Sequence, residues 1–149
     1  MDLKEKILRF LELSYIDFIG YLLFSLLIFI FYWNNNFLNY AGIFISITGF
    51  FIWILGRIHL GESFKIIAKT KKLVTTGIYS KLRHPIYFGG FLVIFGTIIF
   101  TIGENINIYL IIIIILYIIF QVIRIIFEEK ALEEKFGKKY FKYKESSWF

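Results

Sequence analysis

The sequence predicts an all-α integral membrane protein, a bundle of four transmembrane helices with an amphipathic N-terminal helix and a helical cytoplasmic C-terminal tail. Three observations predict this. Of the 149 residues 58% are hydrophobic and only 19% charged, with 19 Phe, a balance outside that of soluble domains. Four apolar stretches, residues 16–33, 37–56, 86–102 and 106–127, each come close to the roughly 20 residues that cross hydrocarbon. Cations are sorted by loop rather than spread over a face. Seven Lys/Arg lie between Arg57 and Arg83 against the single acid Glu62, and seven more run from Arg124 to Lys144, with five Glu from Glu128 to Glu145. The loops Asn34-Asn35-Asn36 and Gly103-Glu104-Asn105 hold none. By the positive-inside rule, loop 57–85 and the tail are cytoplasmic, and an even number of spans puts the N-terminus there too.

Each element has a local reason. Residues 1–15 carry apolar Leu3, Ile7, Phe10 and Leu11 at helical spacing with charges between them, the pattern of an interfacial helix. They mix charges without a small-residue cleavage site, so no removable signal peptide is expected. The second span carries Gly42, Gly49 and Gly56, and the third Gly89, Gly96 and Gly103, both at intervals of seven. Small residues along one side let membrane helices approach closely, which predicts contact between these two spans. The fourth span is mostly Ile until Gln121 and Arg124, and Arg124 shares a face with Glu128 four residues on. Beyond it, Leu132, Phe136, Tyr140 and Tyr143 continue an apolar stripe interrupted at Gly137, with lysines around it. This tail is expected to fold back onto the membrane face or over loop 57–85. The whole chain, 1–149, reads as one domain.

Composition also excludes functions. With no Cys, disulfides and thiolate chemistry are absent, and two histidines, His59 and His84, leave little for a metal centre. No metal is expected. The net charge of +6 follows membrane topology, so nucleic acid is not expected as a partner. No Gly-x-Gly-x-x-Gly follows a strand-like run, which leaves a soluble Rossmann-type enzyme unsupported.

The chemistry-bearing string is Thr76-Gly77-Ile78-Tyr79-Ser80-Lys81-Leu82-Arg83-His84-Pro85-Ile86-Tyr87-Phe88-Gly89. A loop that only sets orientation needs positive charge. This one adds an imidazole, two phenols and a proline placed for the first turn of the next helix. Bland readings exist for each part: Arg83-His84-Pro85 as boundary grammar, Arg124 with Glu128 as a snorkelling arginine in a helical salt bridge, His59 as a boundary residue, and Tyr140 and Tyr143 as interfacial anchors or tail packing.

Two blocks together resemble a known family, the integral-membrane methyltransferases typified by isoprenylcysteine carboxyl methyltransferase, with phospholipid N-methyltransferases as cousins. The first is Leu73-Val74-Thr75-Thr76-Gly77-Ile78-Tyr79 followed by Arg83-His84-Pro85-Ile86-Tyr87-Phe88-Gly89. The second is Arg124, then Glu128-Glu129, Leu132, Phe136-Gly137, Tyr140 and Tyr143. The resemblance implies S-adenosylmethionine as cofactor, bound on the cytoplasmic side between the loop before the third span and the end of the fourth. Leu73 and Val74 would contact its adenosine region, Tyr79, His84, Pro85 and Tyr87 would shape the pocket, and Glu128 would bind the cofactor. Arg124 falls where the family holds its substrate. A histidine that some relatives carry before the first block is Lys71 here, and the family's final V-P-R-F-like segment is Ser146-Ser147-Trp148-Phe149.

These roles make physical sense without the family. A donor with a sulfonium, an ammonium and a carboxylate needs an acid, free N–H groups and aromatic surface. Glu128 supplies the acid. The helix N-terminus at Pro85 supplies N–H groups, and Tyr79 and Tyr87 offer faces to a cation, worth about 0.5–2 kcal/mol. A carboxylate nucleophile needs no base, and Arg124 can grip it bidentately. An amine nucleophile must lose a proton, and His84 could help. The expected function is methyl transfer to a lipophilic acceptor entering from membrane lipid, the carboxylate of a prenylated cysteine first, with Arg124 and His84 catalytic. The alternatives are a phospholipid, amine or thiol methyltransferase, an NADPH-dependent sterol-type reductase, and a non-enzymatic membrane component. The reductases have a similar Arg-His-Pro-x-Tyr string but commonly follow Tyr-x-Gly with Glu, where this chain has Gly90.

Overall fold

A computed structural model describes residues 14–60, 73–102 and 108–148. Residues 1–13 of the expected interfacial helix and residues 61–72 of loop 57–85, Lys71 included, lie outside these. The described residues are all-helical: α1 (Ser14–Phe31), α2 (Phe37–Leu60), a 3-10 turn (Gly77–Ser80), α3 (Pro85–Phe100), α4 (Ile108–Phe136) and α5 (Lys138–Ser146). The only strand-like feature among them is an isolated parallel bridge between Leu82 and Trp148.

Two helices, α2 and α4, are long and apolar enough to cross a membrane. The others are shorter apolar helices of 18 and 16 residues for α1 and α3, roughly 27 and 24 Å at 1.5 Å per residue. In α4 the most apolar stretch has a mean hydropathy of 3.0 but is only 11% buried within the protein. So much exposed isoleucine is tolerable when the surrounding solvent is lipid.

The centre of the bundle is the contact of α2 with α3, and it follows the two glycine rows. A Cβ added at Gly42 would lie 2.5 Å from the Gly96 carbonyl oxygen, and one at Gly49 would lie 2.6 Å from the Gly89 carbonyl oxygen. Only hydrogen fits there, so the two backbones touch and dispersion accumulates along the whole seam. Across it, Ser46 Oγ donates to the Val93 carbonyl at 3.3 Å. The seam carries through Gly49, Gly89 and Gly96 as the spacing predicts; Gly103 is outside the described residues. Gly56 does not end α2, which runs on to Leu60 with Arg57 and His59 in its last turn. Gly56 instead faces Pro85 and Ile86, and Arg57 suits the negative end of the helix.

The three asparagines between α1 and α2 prove to be structural. Asn36 Oδ1 accepts the Asn39 amide at 2.9 Å, and Asn39 Oδ1 accepts the Asn36 amide at 3.3 Å. This reciprocal cap satisfies two backbone donors at the start of α2. Asn35 takes the left-handed φ of 54° that Asn tolerates. Buried Asn39 then donates Nδ2 to the Phe100 carbonyl at 3.0 Å, tying this corner to the end of α3.

α1 packs on α3, where Gly90 leaves room for the Tyr21 side chain. α4 touches α3 more lightly and continues nine residues past the expected span limit of 127. The reason is composition: Glu128-Glu129-Lys130-Ala131-Leu132-Glu133-Glu134-Lys135 are strong helix formers with acids and lysines paired on their faces. The chain breaks at Gly137, at φ 49° and ψ −125°, a conformation open to glycine.

Candidate functional site

The site assembles where α3 begins and where α4 leaves the apolar zone. Pro85 opens α3 at its first position and His84 stands before it with extended φ. The 3-10 turn brings Tyr79 inward, and its Gly77 at φ +62° presses against the His59 ring at the end of α2. His59, read as a boundary residue, thus buttresses the first block; its Nδ1 lies 2.8 Å from the Leu55 carbonyl.

Three groups of side chains follow, ordered from the apolar interior outward. Innermost is Arg124, buried at 4% exposure. Its Nη1 donates to Asp17 Oδ2 of α1, and to Gln121 Oε1 at 3.1 Å. Gln121 turns its amide to the hydroxyls of Tyr21 at 2.6 Å and Tyr117 at 2.5 Å. A charge is held among apolar helices because a carboxylate and a polar network surround it. A counter-ion for Arg124 thus comes from the first helix. Sequence reading gave Asp17 no role. The available signal was an acid in the first turn of an otherwise apolar span.

In the middle lies Tyr87. The Arg124 guanidinium carbon sits 5.4 Å from its ring centroid, and its hydroxyl interacts with the Glu128 carboxylate. Glu128 also acts on buried Tyr79, whose phenol is raised above its ordinary range by burial first and by the Glu128 charge second, with Arg57 opposing. Tyr79, Tyr87, Glu128 and Arg124 are thereby gathered, as expected. Leu73 and Val74 stand half-buried in the approach to the 3-10 turn.

Outermost is a clasp built on Glu129, the second acid of the pair, to which sequence reading gave no role. Its Oε1 faces His84 Nε2 at 3.2 Å and Arg83 Nε at 3.4 Å, and its Oε2 faces Lys144 Nζ at 2.7 Å. The His84 hydrogen bond, then those of Lys144, hold the Glu129 carboxyl down from 4.5 to about 2. Buried His84 thus has Glu129 as a partner at Nε2, with its ring edge-on to Tyr87 at 5.9 Å. Arg83 Nη1 also donates to the Lys144 carbonyl at 3.1 Å, Tyr143 to the Tyr79 carbonyl at 2.6 Å, and the Trp148 amide to the Lys81 carbonyl at 2.6 Å. The tail lies over the Arg83–His84 loop, one of the two placements expected. Fully buried Tyr140 and buried Tyr143 are tail packing rather than interfacial anchors.

No group of three or more His, Cys, Asp or Glu suited to a metal occurs among the described residues. A cleft of about 330 Å³ lies between α1, α3 and α4, lined by Asp17, Tyr21 and Phe24, by Ile94, and by Ile113 and Tyr117 among others. Its apolar walls reach the Asp17–Arg124 pair at one end.

The sequence is 38% identical over 91 residues to the protein-S-isoprenylcysteine O-methyltransferase of Saccharomyces cerevisiae (strain ATCC 204508 / S288c), covering 56% of this chain and 36% of that protein. The chain thus spans about a third of the relative's length. No solved structure matches. The phospholipid methyltransferase pattern matches residues 16–139, nearly the whole of the bundle just described. With the first motif block, and the second as far as Gly137, inside that match, the chain belongs to the phospholipid methyltransferase family.

Proposed function

We propose that this chain is an S-adenosylmethionine-dependent methyltransferase of the membrane that modifies a lipophilic acceptor entering from the bilayer. The carrying observation is Tyr87, which contacts Arg124 beside the apolar cleft on one side and Glu128 beneath the motif loop on the other. One ring joins an acceptor end to a donor end.

The residues fit the chemistry of the donor. Glu128 is an acid for its ammonium, Tyr79 and Tyr87 offer aromatic faces to a sulfonium, and the first turn of α3 offers N–H groups to its carboxylate. Leu73 and Val74 would lie against the adenosine. The bound donor supplies an activated methyl group. The chain supplies position and exclusion of water, since the acceptor arrives along an apolar wall and the tail covers the cytoplasmic side. His84 acts by fixing Glu129 and the entry to α3. Four spans with both termini cytoplasmic, from the cation distribution, would place the motif loop and tail where a soluble donor is available.

For the acceptor, the yeast relative's name supports a prenylated cysteine and the family's name a phospholipid. The reductase reading loses further support at Gly90, where Tyr21 fills the space that a Glu side chain would need. The test is thermal stability in detergent. S-adenosylmethionine or its demethylated product should raise the unfolding temperature and NADPH should not; the reverse result would assign the chain to the reductases.

A further inference from the structure

The tail has two sides, and the clasp accounts for only one of them. In α5, Tyr140 and Tyr143 turn inward and are buried, and Lys144 is taken by Glu129 and Glu133. The opposite side carries Lys138, Phe141, Lys142 and Glu145 at helical spacing, with Lys139 on its flank, and all five are exposed. Phe141 is 53% exposed, and just past the helix Trp148 is 74% exposed. Beside it stands exposed Lys81, whose carbonyl accepts the Trp148 amide. Cations thus outnumber the single acid Glu145 around two uncovered aromatic rings, the composition of an element that lies on a membrane surface.

The height of Trp148 follows from its bonds. Its amide donates to the Lys81 carbonyl and its own carbonyl accepts the Arg83 amide, both within four residues of Pro85, which opens α3. With 16 residues, α3 is about 24 Å long, less than the roughly 30 Å of hydrocarbon. Groups beside its start therefore stand at headgroup level, the depth that tryptophan prefers. Lys144 faces Glu129 and Glu133 one turn apart on α4, so α5 runs back along the end of α4 toward that same level.

We propose that the outer side of the tail docks on an anionic lipid surface. Trp148 seats among the headgroups next to the start of α3, and Lys81, Lys138, Lys139 and Lys142 meet lipid phosphates. Anionic lipid thereby holds the tail down over the Arg83–His84 loop. This rests on α3 crossing the membrane and not on the identity of donor or acceptor.

Two arguments select a lipid surface over a soluble polyanion. Trp148 is anchored beside the first turn of an apolar helix, where the bilayer is already within reach and a free polyanion must be recruited. The exposed cations are also all lysines, whose compact charge on a flexible stem needs no matched geometry and suits headgroups that diffuse. The one arginine nearby, Arg83, is spent inside the clasp.

The test places the full chain in lipid nanodiscs of phosphatidylcholine, with or without phosphatidylglycerol, and reads amide exchange in residues 138–148. Phosphatidylglycerol should slow that exchange by about fivefold for each lysine that reaches the surface. The effect should vanish in the triple variant Lys138→Gln, Lys139→Gln, Lys142→Gln, and for the wild type at about 1 M salt, where charges are screened beyond about 3 Å. Quenching by lipids brominated near the headgroup should also be stronger in the wild type than in Trp148→Phe. Exchange that is the same in both kinds of disc, slowing that persists in the triple variant or in high salt, or quenching equal in the wild type and Trp148→Phe overturns the inference. So does equal slowing by heparin in phosphatidylcholine discs, which would assign this side to a soluble polyanion. The salt and quenching measurements decide the matter even where the triple variant does not fold.

Discussion

The most consequential single contact is Arg124 with Asp17, joining residues 107 apart in sequence. Each is placed by its own helix, and each is tolerable in an apolar setting because the other is there. Arg124→Met should therefore leave Asp17 uncompensated and lower stability by about 3 kcal/mol, while adding Asp17→Asn should restore most of it. Denaturant unfolding of the two single variants and the double variant reads the coupling; additive effects would show that the pair is not energetically linked. At this scale, the motif blocks marked Tyr79, His84, Pro85, Tyr87, Arg124 and Glu128 in the sequence. Asp17 was not legible because nothing local ties an acid in the first span to an arginine in the fourth. Glu129 was passed over because adjacent helical residues point to different faces, and the sequence alone does not say which of Glu128 and Glu129 faces the loop.

Among the elements, the α2–α3 seam and the tail clasp make opposite demands. The seam tolerates no added bulk. Gly49→Leu and Gly96→Leu should each reduce stability in detergent by at least about 1–3 kcal/mol, the range for overpacking, and unchanged melting of both would mean that the helices do not touch there. Its seven-residue spacing was legible in the sequence, because close approach of lipid-exposed helices is a matter of side-chain size. The clasp is electrostatic. The Glu129 carboxyl titrates lower in the folded protein, at about 2 against an ordinary 4.5, so its stabilisation is present above pH 4.5 and is lost as pH falls toward 2. Amide exchange in residues 138–148 should rise over that interval and already be raised at pH 7 in Glu129→Gln. Flat exchange in both would leave the clasp without effect. That the tail returns to the loop was legible from its apolar stripe. Its bonds were not, since three run to backbone carbonyls at Lys81, Tyr79 and Lys144, which any sequence supplies.

For the whole molecule, the account is that a glycine seam fixes α2 and α3, that α1 and α4 flank them around an apolar cleft, and that the start of α3 and the far end of α4 carry the proposed donor site one aromatic ring away. The apolar helices were legible because length and hydropathy alone mark them, two of them long enough to cross a membrane. Their lateral order was not, because lipid-facing isoleucines specify no partner. The most direct measurement is the affinity of the purified protein for S-adenosylhomocysteine, compared among the wild type, Glu128→Gln, and Glu145→Gln as a control on the exposed tail face. The account predicts binding by the wild type, about tenfold or weaker binding by Glu128→Gln for the lost charged hydrogen bond, and no change for Glu145→Gln. Absence of binding, or equal affinity in all three, would contradict it.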